Sequence, residues 1–455
     1  MSFPSFSELV RHVAHALASL FGAWLTQASH ALDYLLATVA SLLIGFPFLT
    51  QSTWYVDSVN GNDANTGATA GTALKTLAEL TRRFQARLLA QDTTINLSGT
   101  FTNFLSLRCS ITQGKTLTVQ GTMTQASAGS ITAAFVAYAP ATNVDAKLTD
   151  ATQTWATQVD RRIRMTSGAA ADSIAWVLKD LGANVARVSQ FVLRGIAGNS
   201  GKMVTPAQND TYVVETYNAT VYGLDVVVGG GGNVYCKDFQ VTGDTANGLP
   251  SRFEVCGLDG KAWVPRNCIL DGVEFLGAVQ CYYWQASLVG CRQRCDLRFY
   301  QSTCAVFGHV LKQPTGQALS CYLSSFAGCR ILVCATIISQ GATGISSGDG
   351  GVLFVVFDSA FAAASIGGYD NTTNPIVEVG VVSACYLVVA NAYIFGSGNT
   401  ASSNTKVHNG GVIAYTSKPV VTGTGNDALV GGTAKTWGTI PYLEPANGAQ
   451  ITAYA

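Results

Sequence analysis

Acidic side chains recur through the second half of the chain, in short segments rich in glycine and β-branched residues. Two carboxyl groups held about 5 to 10 Å apart can cleave a glycosidic bond by acid–base or nucleophilic chemistry. In a regular strand, Asp271 and Glu274 of LDGVE would lie on opposite faces and could pair only across a bulge. Each acid also has a simpler interpretation as a turn residue or a solvated strand position. The candidate carboxylates are Asp259, Asp271, Glu274, Asp296, Asp349, Asp358, Asp370 and Glu378.

Aromatic residues cluster in CYYWQ, which contains Tyr282, Tyr283 and Trp284, and in RFY, which contains Phe299 and Tyr300. Exposed rings could stack on sugars, so we name Tyr282, Tyr283 and Trp284 as candidate glycan contacts. The simpler interpretation is that these rings fill a core or a subunit interface.

The sequence offers no pattern for a metal or a cofactor. Ten of the 12 cysteines fall between Cys236 and Cys334 at irregular gaps, and the chain has no CxxC pair. We therefore expect no cofactor and no metal, and we interpret the cysteines as small buried thiols of a chain assembled in a reducing cytoplasm.

Charge is sparse and balanced, with 27 basic and 27 acidic residues that together make up 12% of the chain. This balance gives no general attraction to nucleic acid, and we expect no nucleic-acid partner. A denser segment from Asp145 to Arg187 holds eleven charged residues, including DRRIRM. We interpret DRRIR as a solvated strand rather than as a nucleic-acid site.

Residues 1–50 carry an apolar stripe at helical spacing, with Glu8, Arg11 and Asp33 as their charged residues. A secretory signal is disfavoured because no basic region precedes the apolar run. A membrane span is the weaker alternative, because polar residues interrupt one apolar window and the other is too short. We favour a helical anchor that packs against its own copies or docks into a larger assembly. Its candidate contact residues are Leu9, Val13, Leu17, Leu20, Trp24, Leu35, Val39 and Leu42.

A turn-rich loop, YVDSVNGNDANTG, follows this segment and leads into a short amphipathic helix. The pattern places Ala73, Leu77, Leu80, Phe84 and Leu88 on one helical face, after Thr72 as the N-cap. Beyond this helix, short β-branched runs recur at spacings of roughly twenty residues, as the rungs of a coil would. Runs such as GVLFVVF are too apolar for a sheet with one wet face, and stacked parallel coils would accommodate them.

The loop and TALKTLAEL together resemble the start of right-handed parallel β-helix proteins, especially bacteriophage tailspikes and fibres. The resemblance covers about thirty residues and implies an all-β, pectate-lyase-like solenoid, preceded by an N-terminal α-helical anchor and interrupted by a small inserted β-domain. It also implies a homotrimer bound to the virion through its N-terminal segment. The expected domains are residues 1–50 (anchor), 51–139 (opening loop, capping helix and first coils), 140–216 (inserted β-domain), 217–420 (β-helix body) and 421–455 (C-terminal cap).

These features predict a structural virion protein of a bacteriophage, which attaches to the host or decorates the tail or capsid. The expected partners are two further copies of the chain, other tail, portal or capsid proteins through residues 1–50, and a host surface glycan. Catalysis is the weaker interpretation because no acid and base can be assembled from the sequence. If the chain is an enzyme, we expect a polysaccharide depolymerase; a bacterial surface adhesin is a further alternative.

Overall fold

The computed structural model describes residues 48–137, 145–195, 202–229, 231–243, 251–254, 267–277, 279–282, 285–294, 297–300 and 303–312, and beyond residue 312 the strands given below. Of the predicted anchor, residues 1–50, residues 1–47 lie outside the described residues.

The opening loop is closed by its own polar side chains. The Asp57 carboxylate accepts hydrogen bonds from the Val59 and Asn60 amides, both at 2.9 Å. Asp63 accepts the Lys75 and Thr76 amides in the same way, also at 2.9 Å. These side-chain to backbone bonds are why an Asx-rich run folds as a compact loop.

The helix that follows, α1, begins later than the sequence pattern indicated. It spans Leu77–Phe84, and its N-cap is Thr76, whose hydroxyl accepts the Glu79 amide at 3.1 Å. The predicted cap, Thr72, was wrong because Leu74 bonds to strand backbone, donating to the Tyr55 carbonyl at 2.9 Å. A residue engaged in this way is extended and cannot open a helix.

Five strands lie before and after this helix along the chain. They are β1 (Thr53–Asp57), β2 (Arg87–Leu89), β3 (Thr93–Thr100), β4 (Phe104–Ile111) and β5 (Thr116–Gly121). Leu77, Leu80 and Phe84 form the buried face of α1, as the helical pattern predicted. Leu88 instead belongs to β2.

Between β5 and the next parallel strand, the chain forms an antiparallel unit that we call the inserted module, Met123–Tyr217. Its sheet order is β6–β14–β9–β10–β11–β8–β7, and β12 joins β10 to β13. A separate apolar core, which includes Trp155 stacked on Tyr212, fills it. The strands are β6 (Met123–Ser130), β7 (Val136–Ala137), β8 (Asp145–Thr149), β9 (Arg162–Met165), β10 (Ile174–Gly182), β11 (Val185–Ser189), β12 (Phe191–Val192), β13 (Met203–Val204) and β14 (Thr211–Tyr217).

The remaining chain is strand-rich and almost wholly parallel in its pairing. From the module onwards the strands are β15 (Ala219–Val221), β16 (Gly223–Gly229), β17 (Asn233–Lys237), β18 (Gln240–Val241), β19 (Ser251–Glu254), β20 (Asn267–Asp271), β21 (Glu274–Phe275), β22 (Val279–Tyr282), β23 (Gln285–Val289), β24 (Arg292–Gln293), β25 (Leu297–Tyr300), β26 (Thr303–Lys312), β27 (Leu323–Phe326) and β28 (Arg330–Ile338). They continue as β29 (Ile345–Ser347), β30 (Leu353–Phe357), β31 (Ala360–Ala362), β32 (Val377–Val379), β33 (Tyr386–Ala390), β34 (Tyr393–Phe395), β35 (Asn399–Ser403), β36 (Thr405–Val407), β37 (Val412–Tyr415), β38 (Val420–Thr422), β39 (Gly425–Asn426), β40 (Ala428–Val430), β41 (Thr433–Lys435), β42 (Tyr442–Leu443) and β43 (Gln450–Thr452).

Successive strands extend three rows of parallel strands in a recurring order, which we call the first, second and third sheets, although the first two share β26 and β28 and belong to one 20-stranded hydrogen-bonded network. One sheet runs β1–β3–β5–β17–β20–β23–β26–β28–β30–β33–β37–β43. A second runs β15–β18–β21–β24–β26 and on through β28 to β31, β34 and β38. A third runs β19–β22–β25–β27–β29–β32–β36–β40. Each pass of the chain therefore adds a layer to the strands before it.

Buried columns of side chains run along the first sheet. Trp54 aligns with Ile95, Ile95 with Val119, Val119 with Cys236, and Cys236 with Leu270, and all five residues are buried. Among the described residues, the cysteines Cys109, Cys236, Cys268 and Cys291 form no disulfide and are buried, as the sequence indicated.

Candidate functional site

A row of left-handed residues marks the corner between the first and second sheets. Asp238, Gly272, Gly290 and Gly308, which we call the corner row, have φ values of 64°, 59°, 56° and 58°. Asp238, Gly272 and Gly290 each lie where the chain leaves a strand of the first sheet for one of the second, and Gly308 lies at a register shift within β26, which belongs to both. Glycine suits three of these four positions because it has no Cβ to clash in this conformation.

The inserted module packs directly onto the corner row. A Cβ placed on Gly290 would lie 2.5 Å from Ile174 Cδ1, and one on Gly308 would overlap Val192. The Trp176 indole donates a hydrogen bond to the Gly290 carbonyl at 2.8 Å. The Tyr217 hydroxyl donates to the Gly272 carbonyl at 2.6 Å. The module is therefore seated across several successive layers of strands.

The contact between the inserted module and the parallel strands, which we call the junction, is partly apolar. Ile174 and Val192 from the module pack with Tyr235, Ile269 and Val289 from the parallel strands. A second small cluster joins Trp176 and Leu178 to Val310.

The rest of the junction is a network of buried charges. The Arg162 side chain, 1% exposed, donates to the Glu215 carboxylate at 2.6 and 3.1 Å and also to Asp238. Arg194 bridges two acids, donating to Asp238 at 2.5 Å and to Asp271 at 2.7 Å. These contacts join the module to two consecutive layers, since Asp238 follows β17 and Asp271 ends β20.

Glu274 is the centre of the neighbouring half of the network. It accepts hydrogen bonds from Gln240 at 2.6 Å and from Arg294 at 2.9 Å, and it lies 3.4 Å from Arg292. Arg292 in turn bonds to the carbonyl of Asp160 in the module and lies 2.8 Å from the Asp160 carboxylate. Among the described residues, Arg292 Nε is a buried nitrogen without a hydrogen-bond acceptor.

Proton affinities follow from this burial and pairing. Burial alone would raise the pKa of Asp238, but the Arg162 and Arg194 guanidiniums outweigh burial and hold it below its ordinary value of 3.8. Burial opposes the charge of Arg162 as well, yet Asp238 and Glu215 raise the pKa of its guanidinium. Burial and the neighbouring Asp271 carboxylate raise the pKa of the Tyr235 hydroxyl. Asp238 and Arg162 are therefore both charged near neutral pH.

A cleft of about 250 Å³ opens beside these charges. Its walls include Arg162, Trp176, Glu215, Tyr217, Glu274 and Arg294. A general acid must hold and release a proton at a reacting atom. Glu215 and Glu274 instead already accept bonds from arginine, so the arrangement is suited to joining the module to the strands.

The structure places two candidate carboxylates in this network. Asp271 is 0% and Glu274 2% exposed, so the interpretation of these acids as solvated strand positions was wrong. Gly272 turns the chain between them, so both acids reach arginines at the corner and are not divided between the two faces of one strand. Glu378 lies in β32, and Asp259, Asp296, Asp349, Asp358 and Asp370 lie outside the described residues.

Of the candidate glycan contacts and anchor residues, the structure describes only Tyr282. Tyr282 ends β22 and is in register with Tyr300 of β25. Tyr283 and Trp284 lie outside the described residues, as do Leu9, Val13, Leu17, Leu20, Trp24, Leu35, Val39 and Leu42.

Sequence reasoning did not identify Arg162, Arg194, Glu215 and Asp238 as site residues. The interpretation of DRRIR as a solvated strand was wrong for Arg162, because β9 is buried at the junction. A signal was present, since the Asp145 to Arg187 segment is charge-rich in a chain that is otherwise poor in charge. Charge density alone does not reveal which distant acids the arginines of this segment would pair with.

Within the described part of the chain, no group of three or more His, Cys, Asp or Glu residues is placed to hold a metal ion. The helical residues that can be described include no apolar helix long enough to span a bilayer.

No protein-family model and no curated protein matches this chain. Among solved structures, it is similar to a GH136 lacto-N-biosidase from Eubacterium ramulus, with 8% identity and a TM-score of 0.24, over 83% of this chain and 67% of that one. It is also similar to the tailspike of Acinetobacter baumannii bacteriophage AP22, solved with a capsular saccharide, with 12% identity and a TM-score of 0.22, over 75% of this chain and 65% of that one. A Pseudomonas phage phi297 tailspike shows 10% identity and a TM-score of 0.22, over 84% and 74% of the two chains. The chain thus spans about two thirds to three quarters of these proteins, at similarities too low to assign it to a family.

Proposed function

We propose that this chain is a structural virion protein of a bacteriophage, a trimeric right-handed parallel β-helix that serves as a spike or fibre. The observation that supports this most directly is the recurring passage of the chain through three parallel sheets. Each pass adds a strand about 4.8 Å further along the stack. A body built in this way is a rigid spacer that can hold a binding surface away from the particle.

Attachment would be multivalent in this proposal. Three copies joined through residues 1–50 would present identical weak contacts to a host surface glycan. Linked contacts of this kind gain affinity without a strong single site. Tyr282, Tyr283 and Trp284 remain the candidate glycan contacts.

Binding is favoured over catalysis by the placement of Asp271 and Glu274. Their oxygens are occupied by Arg194, Arg292 and Arg294. A sugar-cleaving pair needs one carboxyl group free to give a proton and another free to attack or activate water.

The test is binding of fluorescently labelled protein to a panel of bacterial strains, followed by incubation with the capsular polysaccharide of a strain that binds it. We expect binding that saturates, blocks adsorption of the phage and releases no reducing ends. Replacing Tyr282, Tyr283 and Trp284 together with alanine should lower binding at least about tenfold. Phe104→Ala is the matched control, because Phe104 is a 40% exposed aromatic residue in β4, outside the first two sheets.

Release of reducing ends or unsaturated sugars would replace this proposal with a polysaccharide depolymerase. Binding to no strain, together with incorporation into particles, would restrict the function to tail or capsid decoration.

A further inference from the structure

The inserted module leaves the parallel sheets after β5 and returns at β15, yet its contacts extend much further along the stack. Val192 of the module packs on Gly308 and Trp176 packs with Val310. Gly308 and Val310 both belong to β26. The module therefore lies across the layers that contain β17, β20, β23 and β26. The module also has a separate apolar core of its own.

The charges that face each other across this junction are complementary. To the ion pairs that cross the junction the module contributes Arg162, Arg194 and Asp160. Glu215 and Arg164 pair within the module. The parallel strands contribute Asp238, Asp271 and Arg292 to the same pairs. Glu274 pairs with Arg292 and Arg294 on the strand side. The excess of one positive charge on the module is balanced by one negative charge on the strands.

Other ionisable groups border this set. Tyr235, Lys237 and Cys291 lie on the strand side. On the module side, Tyr217 lies under the Arg162 guanidinium, Asp172 lies 3.6 Å from Arg164, and Arg161 donates to Gln158. Of all these groups, the carboxylates are the ones that change charge between neutral and acid pH.

We propose that the inserted module is an acid-released clasp, which holds successive layers of the parallel strands together at neutral pH and detaches as a folded unit when its carboxylates are protonated. This goes beyond the proposed role in attachment and does not depend on it. Protonation would leave up to five arginines at the junction without counter-charges, and a buried charge that loses its partner is strongly destabilising.

The direction of the pH effect follows from Asp238. Its pKa in the folded chain lies below the ordinary value of 3.8, so its contribution is present at neutral pH. That contribution is lost as pH falls through the depressed folded-state value. We therefore expect the clasp to be closed above about pH 4 and to open below it.

Trp176 is a natural reporter of this opening, because its indole is buried at the junction and bonded to Gly290. The difference between the emission of the full-length protein and that of Trp176→Phe isolates this residue from the other six tryptophans. On acid titration we expect the Trp176 component to shift to the red while far-UV circular dichroism still reports intact strands.

Asp238→Asn mimics the protonated acid and should raise the midpoint of the Trp176 shift by at least about one pH unit. Asp225→Asn is the control, because Asp225 of β16 pairs with the exposed Arg108 of β4, away from the module, and should leave the midpoint unchanged. A Trp176 shift that coincides with loss of strand signal would overturn the proposal. An unmoved midpoint in a folded Asp238→Asn protein would also overturn it. If that variant does not fold, the acid titration of the unsubstituted protein still tests the proposal, through the order in which the Trp176 shift and the loss of strand signal occur.

Discussion

At the scale of single residues, the most informative feature is the burial of whole ion pairs rather than of isolated charges. Arg162 is enclosed by Glu215 and Asp238, and Arg194 by Asp238 and Asp271. Withdrawing such groups from water costs free energy that their mutual attraction roughly offsets. We infer that their main effect is on specificity, because a different placement of the module would leave these charges unpaired.

Removing one member of a buried ion pair tests how much the fold depends on that pair. Arg162→Met should lower the free energy of unfolding by about 3 to 5 kcal/mol, because Asp238 and Glu215 stay buried with a positive partner missing. Urea denaturation of the purified protein measures this. Arg108→Met is the control: its side chain is 57% exposed beside Asp225 and should cost less than about 1 kcal/mol. Equal losses in the two variants would contradict the assignment.

The buried thiols also allow a residue-scale prediction. Burial raises the pKa of Cys109 and of Cys236 to about 12, so their reactive thiolate forms are scarce at neutral pH. We expect iodoacetamide at pH 8 to modify both at least about 100-fold more slowly in the folded protein than in urea. Peptide mapping by mass spectrometry reads out each cysteine. Rapid labelling of the folded protein would mean that these strands open readily.

At the scale of elements, α1 depends on its N-cap. Thr76 accepts the Glu79 amide and donates its own hydroxyl hydrogen to Asp63 at 2.8 Å, so it fastens the helix to the opening loop. Thr76→Ala should cost about 1 to 2 kcal/mol in unfolding free energy, measured by thermal or urea denaturation. Thr76→Ser keeps the hydroxyl and should cost much less. Equal effects of alanine and serine would show that the hydroxyl is not the cause.

The corner row offers a second test at this scale. Gly290→Ala forces a left-handed alanine and pushes its Cβ against Ile174, so we expect a loss of about 2 to 4 kcal/mol in unfolding free energy. Gly114→Ala separates the two effects, because Gly114 also has a positive φ but its added Cβ would meet no atom within 4 Å. That control should cost about 1 kcal/mol from backbone strain alone. Denaturant titration of both variants gives the comparison, and equal losses would contradict close docking of the module.

At the scale of the whole molecule, the proposal requires self-association. Light scattering should give three times the 47.7 kDa mass of the single chain. Leu17→Glu together with Leu20→Glu should reduce this to a single copy, because charges on the apolar stripe oppose helix packing. Ser19→Glu lies off that stripe and should leave the mass unchanged. A single-chain mass for the unsubstituted protein would rule out the trimer.

Local chemistry explains what the sequence determined by itself. The Asx-rich loop, the short helix after it and the strand-rich remainder were predicted because they depend on side-chain to backbone bonds and on patterns between near neighbours. The helix start was missed by a few residues, since the bond from Leu74 to Tyr55 joins segments that the helical pattern does not compare.

Only the tertiary structure decided the fate of LDGVE and DRRIR. Asp271 meets Arg194, which is 77 positions away, and Arg162 meets Asp238, which is 76 positions away. The left-handed Gly272 directs both acids of LDGVE towards arginines, whereas a regular strand would have separated them. Composition shows that these charges exist, but their pairing depends on how distant segments are brought together, because a charge can be buried only where its partner also arrives.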